Sequence, residues 1–220
     1  LIGRLRRRIA GLSAWRPGKL AKGTLAMTAG MGLRTLTQAG VFLIVARVLG
    51  IEAYGAYAAV LALAGSLGSF VGLGVSVLML RDTARDADAF TVAWGHALAA
   101  LALTAPVLGL AYGLIAWVAL PGDIPWAVVA WIGVAELIFA PIALVAIHAY
   151  QGHERIGRAA RLVLAPVLPR LAAALLLIPL ALWFAPGARL QAWAALYVLA
   201  AALAAAYALW LVRRDLGVDF

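Results

Sequence analysis

The chain has 220 residues, 66% hydrophobic and only 12% charged, with a mean hydropathy of +1.01. That composition excludes an ordinary soluble globular domain. Its net charge of +9 could suit a nucleic acid, but the basic residues sit in short linkers, where anionic membrane lipids attract them; no nucleic-acid partner is expected. With no cysteine, disulfides and thiolate chemistry are excluded.

In chain order, residues 1–22 form a basic tail carrying Arg4, Arg6, Arg7, Arg8, Arg16, Lys19 and Lys22. It reads as a topology signal, or as a short amphipathic segment on the inner leaflet. Six apolar spans follow, at 23–49, 56–80, 92–120, 125–150, 162–185 and 190–212, with a short tail over 213–220. Each is long enough to cross a hydrocarbon core of ~30 Å at ~1.5 Å per residue. Helices are the economical way to do so, since each closes its own backbone hydrogen bonds. The predicted fold is all-α: a polytopic six-transmembrane-helix bundle over 23–212.

Of the 18 basic residues, 14 lie in the tails and in the linkers after the second and fourth spans. The alternate linkers, 50–55, 121–124 and 186–189, hold only Arg189. Both termini are therefore expected in the cytoplasm. No linker is long enough for a folded module, and no phosphate-binding glycine loop is present. The function must lie among the helices.

The first span carries Arg34 near its middle, beside Thr35, Thr37 and Gln38. This cluster is costly against lipid, so its face should point into the bundle or a wet cavity. The second span holds Gly65, Gly68, Gly72 and Gly74 with Ser66, Ser69 and Ser76. Gly65, Ser69 and Gly72 share one side, which suits either close helix packing or a moving hinge. Asp82, Asp86 and Asp88 follow, interleaved with Arg81 and Arg85, and read as a solvated linker rather than a metal site. Pro106 interrupts the third span and Pro141 the fourth, while Pro166, Pro169 and Pro179 fall in the fifth. Three prolines in one span suggest a bent element lining a cavity, though tight packing explains them too. His96, His148 and His153 have no metal-ligand spacing. Trp117, Trp126, Trp131, Trp183 and Trp193 fall towards outer helix ends, and Tyr150 and Trp210 towards inner ones, as an aromatic belt would.

Three charges lie well inside spans: Arg34, Glu136 and Arg170. One reading is a salt bridge that ties helices together, with Glu136 neutralising one arginine. The other takes the remaining arginine as an anion-binding group in a central cavity, since its planar fork suits phosphate. Two arginines against one acid leave a positive interior, which points to an anionic substrate. Glu136 is also the candidate ion-coupling group, taking up a proton or holding a sodium ion.

At the first helix junction the chain reads Ala46–Arg47–Val48–Leu49–Gly50–Ile51–Glu52–Ala53–Tyr54–Gly55. This resembles the A-R-x-L-G-x-x-x-Y-G pattern of the polysaccharide-biosynthesis flippases, in the multidrug/oligosaccharidyl-lipid/polysaccharide exporter superfamily. Gly72–Leu73–Gly74 before Arg81, and Tyr150–Gln151–Gly152–His153–Glu154–Arg155 after the fourth span, follow in the family's order. The resemblance implies flipping of an undecaprenyl-pyrophosphate-linked oligosaccharide across the inner membrane, in polysaccharide or lipopolysaccharide biosynthesis, by alternating access. It implies a transporter rather than an enzyme, with Arg34 and Arg170 as cavity arginines; with Gln38 of the first-span polar cluster these are the candidate substrate-binding groups, and no cofactor, metal or catalytic residue is expected. Family members carry two six-helix lobes, and this chain resembles the N-terminal lobe of such a MATE-like transporter. A fragment is expected, or a chain that pairs with a second lobe or with itself. The alternatives are a drug or metabolite exporter of the same superfamily and a non-transporting structural membrane subunit.

Overall fold

The computed structural model describes residues 18–218. Most of the basic tail predicted over 1–22, and the last two residues of the 213–220 tail, lie outside the described residues. Among the described residues the regular structure is entirely helical. The order is α1 (Lys19–Leu49), α2 (Ile51–Gly68), α3 (Val75–Arg85), a 3-10 turn (Ala87–Ala89) and α4 (Phe90–Ala119). Next come α5 (Trp126–Val134), a π-turn (Ala135–Phe139) and α6 (Ala140–Gly152). The chain then runs through α7 (Ile156–Leu164), α8 (Val167–Trp183) and α9 (Pro186–Leu216). Among the described residues six helical stretches are long and apolar enough to cross a membrane, so the chain is a multi-pass membrane protein.

Several boundaries differ from those expected. The linker at 50–55 shrinks to Gly50, whose φ of 82° lets one residue reverse the chain while its N–H closes on Ala46 O at 3.0 Å. The second span is not one helix over 56–80. It stops at Gly68, unwinds over 69–74, and resumes as α3. Gly72, Leu73 and Gly74 all take positive φ there. Gly72 donates its N–H to Thr104 Oγ1 at 2.8 Å, outside any helical ladder. The fifth span begins six residues before its expected start and breaks at Ala165–Pro166, so Arg158 and Arg161 lie on α7 rather than in a linker.

The fourth span (α5, π-turn, α6) and the sixth (α9) form the buried centre, and the first and third spans are the most exposed. Helix α9 packs against α8, α6 and α5, and also touches α1 and α2. Three of the basic segments meet at one end of the bundle. Arg158 pairs with Asp215 at 3.3 Å, and Arg155 donates to Asp215 O at 3.1 Å. The side chain of Thr83 and the carbonyl of Leu80 close against Gly152. Tyr150 is buried there, donating to Leu211 O at 2.9 Å.

The aromatic belt is only partly realised. Trp117, Trp126, Trp183 and Trp210 are exposed, whereas Trp193 and Tyr150 are fully buried. Trp193 belongs instead to a core of edge-on rings with Tyr57 and Tyr197, at centroid distances of 5.8 to 6.0 Å. This cluster holds α9 to α2.

Candidate functional site

Breaking a helix inside a membrane is costly, and this chain does so three times around one cavity. The cavity has a volume of about 300 Å³. The unwound segment contributes Ser69, Val71 and Gly72, the π-turn Glu136 and Phe139, and the α7–α8 break Pro166 and Val167. Helix α1 closes another side with Arg34, Thr37 and Gln38, and α8 supplies Arg170.

The π-turn has a local cause. Ala140 donates its N–H to Ala135 O, five residues back, and Pro141 has no N–H to offer. The Glu136 carbonyl thus loses its usual helical donors. Gly68 approaches it so closely that a Cβ there would sit 2.7 Å from that oxygen. Only a glycine lets α2 come this near, and the approach fits the weak Cα–H···O contacts of packed helices. Gly65, expected to share in the close approach, has nothing near it. The small-residue contact is made by Gly68, and Gly72 lies in the unwound turn.

The four candidate residues, Arg34, Gln38, Glu136 and Arg170, all line this cavity. Arg170 and Glu136 form an ion pair at 3.7 Å, with side chains about a fifth exposed. Tyr197 of α9 donates a hydrogen bond to the same Glu136 oxygen. The Arg170 guanidinium also lies over the Tyr197 ring, 4.3 Å from its centroid. Glu136 is thus held by two donors, and Arg170 by a carboxylate and an aromatic face. Arg170 Nε is buried and has no hydrogen-bond partner among the described residues, so one guanidinium donor is unused.

Arg34 is placed differently. It is exposed at the side of the cavity, and no acid pairs with it among the described residues. Gln38 is exposed one turn further along α1. Thr37 and Thr35 return their hydroxyls to Leu33 O and Met31 O, at 2.9 and 3.0 Å. Among the described residues, one of the two cavity arginines is paired with an acid and the other is not.

Of the other candidates, His96 is exposed and does not line the cavity. His153 packs edge-on against Phe90 at 4.6 Å and returns Nδ1 to Ala149 O. No cluster of metal-ligating side chains occurs among the described residues. Arg81 pairs with Asp82 at 2.8 Å, and Asp86 Oδ1 accepts from the Asp88 N–H, as befits a solvated linker. The residue that sequence reasoning missed is Tyr197. A tyrosine in mid-span needs a partner for its hydroxyl, and that requirement was the available signal.

Comparison with curated proteins and with solved structures gave no match. The model of the family described as polysaccharide biosynthesis protein matches residues 20–220. The chain belongs to that family, and its role lies in polysaccharide synthesis or export.

Proposed function

We propose that the chain is part of a flippase that carries an undecaprenyl-pyrophosphate-linked oligosaccharide across the inner membrane, without itself catalysing a covalent step. The observation that carries this reading is the polar cavity among apolar helices, where Arg34 has no counter-charge among the described residues and Arg170 is only partly committed to Glu136. An unpaired arginine at mid-membrane costs roughly 2.5–3.5 kcal/mol, so its retention needs a return. Binding a diphosphate is such a return, because guanidinium forks donate in parallel to phosphate oxygens and keep their charge throughout. Glu136 then has two tasks: it neutralises Arg170 in the empty site, and it releases that arginine when an anion arrives. Proton or sodium uptake at Glu136 would favour the release.

The gathering of basic segments at one end supports an orientation with both termini in the cytoplasm. The open side of the cavity, bordered by the exposed Arg34 and Gln38, suits a second six-helix lobe or a second copy facing it.

The test is transport of a fluorescent lipid-linked sugar in vesicles holding the full assembly, normalised to folded protein. Arg34→Gln and Arg170→Gln should each reduce normalised transport severely. Near-normal transport by both variants would overturn the reading.

A further inference from the structure

A second hollow lies on the other side of the π-turn. It is an apolar groove of about 750 Å³ between α4 and the α5–α6 span, within the ~300–1,000 Å³ of typical ligand sites. Its floor is made by small residues, Ala105, Gly109 and Gly113 on α4 facing Ala130 and Gly133 on α5. Its rim, with Trp126, Val134 and Ile138, is exposed and apolar. In a spanning helix pair that rim faces hydrocarbon, so the groove suits an apolar chain.

The groove adjoins the polar cavity. Leu101 lines both, packed against Gly72 of the unwound segment. Within one turn of chain, Glu136 and Phe139 face the cavity while Leu137 and Ile138 face the groove. A lipid whose headgroup enters the cavity cannot leave its chain behind, and that chain must stay among apolar surfaces throughout the crossing. We infer that this groove seats the isoprenoid chain of the same molecule whose diphosphate meets Arg34 and Arg170, with Leu101 as the partition between them. The inference rests on the flippase reading and adds a second binding element to it. Since lipid tails are as apolar as the groove, its contribution comes from packing in a shaped slot rather than from escape from water.

Gly109 and Gly113 allow a clean test, because a Cβ at either meets nothing within 4 Å. Gly109→Phe and Gly113→Phe therefore start from an unobstructed Cβ and should project a ring into the groove. The probes are undecaprenyl pyrophosphate and short-chain geranyl pyrophosphate, with binding to purified protein read by native mass spectrometry. The phenylalanine variants should weaken undecaprenyl pyrophosphate by about tenfold and leave geranyl pyrophosphate unchanged. Arg34→Gln and Arg170→Gln should weaken both probes. A benzophenone attached at Gly113→Cys, in a chain with no native cysteine, should cross-link the long-chain probe. Undecaprenyl pyrophosphate should compete for that cross-link and phosphatidylglycerol should not. If the groove variants bind the long-chain probe normally, or phosphatidylglycerol competes equally, the groove holds bulk lipid and the inference fails. The flippase reading survives that result provided the arginine variants still lose both probes. Wild-type protein that binds neither probe would remove both.

Discussion

Gly68→Ala tests whether the contact between α2 and the π-turn shapes the cavity. The new Cβ would lie 2.7 Å from the Glu136 carbonyl oxygen and 3.4 Å from its carbon. Restoring ordinary contact, from 2.7 to 3.4 Å, requires roughly 0.7 Å of movement, and both sides of the contact are backbone. Overpacking of this kind costs about 1–3 kcal/mol. Alanine recovers roughly 0.5–1 kcal/mol through its better helix propensity. The net expectation is destabilisation by about 0.5–2 kcal/mol, up to roughly a 30-fold change in the folding equilibrium. Gly65→Ala, three residues earlier on the same helix, meets nothing within 4 Å and keeps only the propensity gain. It should be neutral or up to ~1 kcal/mol more stable. Reversible unfolding by dodecyl sulfate in mixed micelles measures both variants against wild type. Gly68→Ala should fall below wild type and Gly65→Ala should not. Equal stabilities, or a Gly65→Ala variant weaker than Gly68→Ala, would refute the contact. The displaced π-turn carries Glu136, so Gly68→Ala should also lower transport per folded molecule.

Arg34→Lys keeps the charge but loses the two-pronged donor, so transport should fall partly; Arg34→Gln should lose about 10- to 100-fold, the worth of a charged hydrogen bond. Glu136→Gln should reduce normalised transport less than either arginine-to-glutamine change, and a larger loss would assign it the coupling role. Trp193→Ala removes a fully buried ring and should cost about 3–5 kcal/mol, whereas Trp183→Ala, 86% exposed, should cost under about 0.5 kcal/mol by the same unfolding assay. A cysteine at Asp123 should react with an impermeant maleimide from the periplasmic side only; cytoplasmic labelling would reverse the proposed orientation.

The number of spans and their helical nature were legible in the sequence, because long apolar runs mark them, and the mid-span placement of Arg34, Glu136 and Arg170 stood out because charge in hydrocarbon is expensive. Arg34, Gln38, Glu136 and Arg170 come from three different spans, yet one cavity takes all of them. Other features were not legible, for physical reasons. Hydropathy does not distinguish a bundle core from a lipid tail, so Trp193 and Trp183 look alike in sequence while one is buried and the other 86% exposed. The unwound turn at 69–74 keeps the apolar composition of its span, and only the Gly72–Leu73–Gly74 triplet marked it. That triplet fits a packing face as well as a break. The π-turn needed knowledge that Pro141 follows Glu136 at the spacing that removes the carbonyl's donor, and no pattern of apolar residues carries it.

The three backbone irregularities and the buried charges violate local rules for a membrane helix, and each violation costs stability. Scattered through the bundle, they would read as independent accommodations. Instead, Gly72, Glu136 and Pro166 converge from three spans on the cavity that also holds Arg170 and Arg34. Locally unfavourable choices that meet at one place are expected where function opposes stability. The unwound turn of the second span and the Ala165–Pro166 break flank the Arg170–Glu136 pair, so α3 and α8 can tilt without breaking a continuous helical ladder. A purely structural salt bridge would be better served by straight helices, which hold their side chains more rigidly. The Arg170–Glu136 pair lies between two such breaks, in the cavity that Arg34 also lines, and among the described residues Arg34 has no acidic partner.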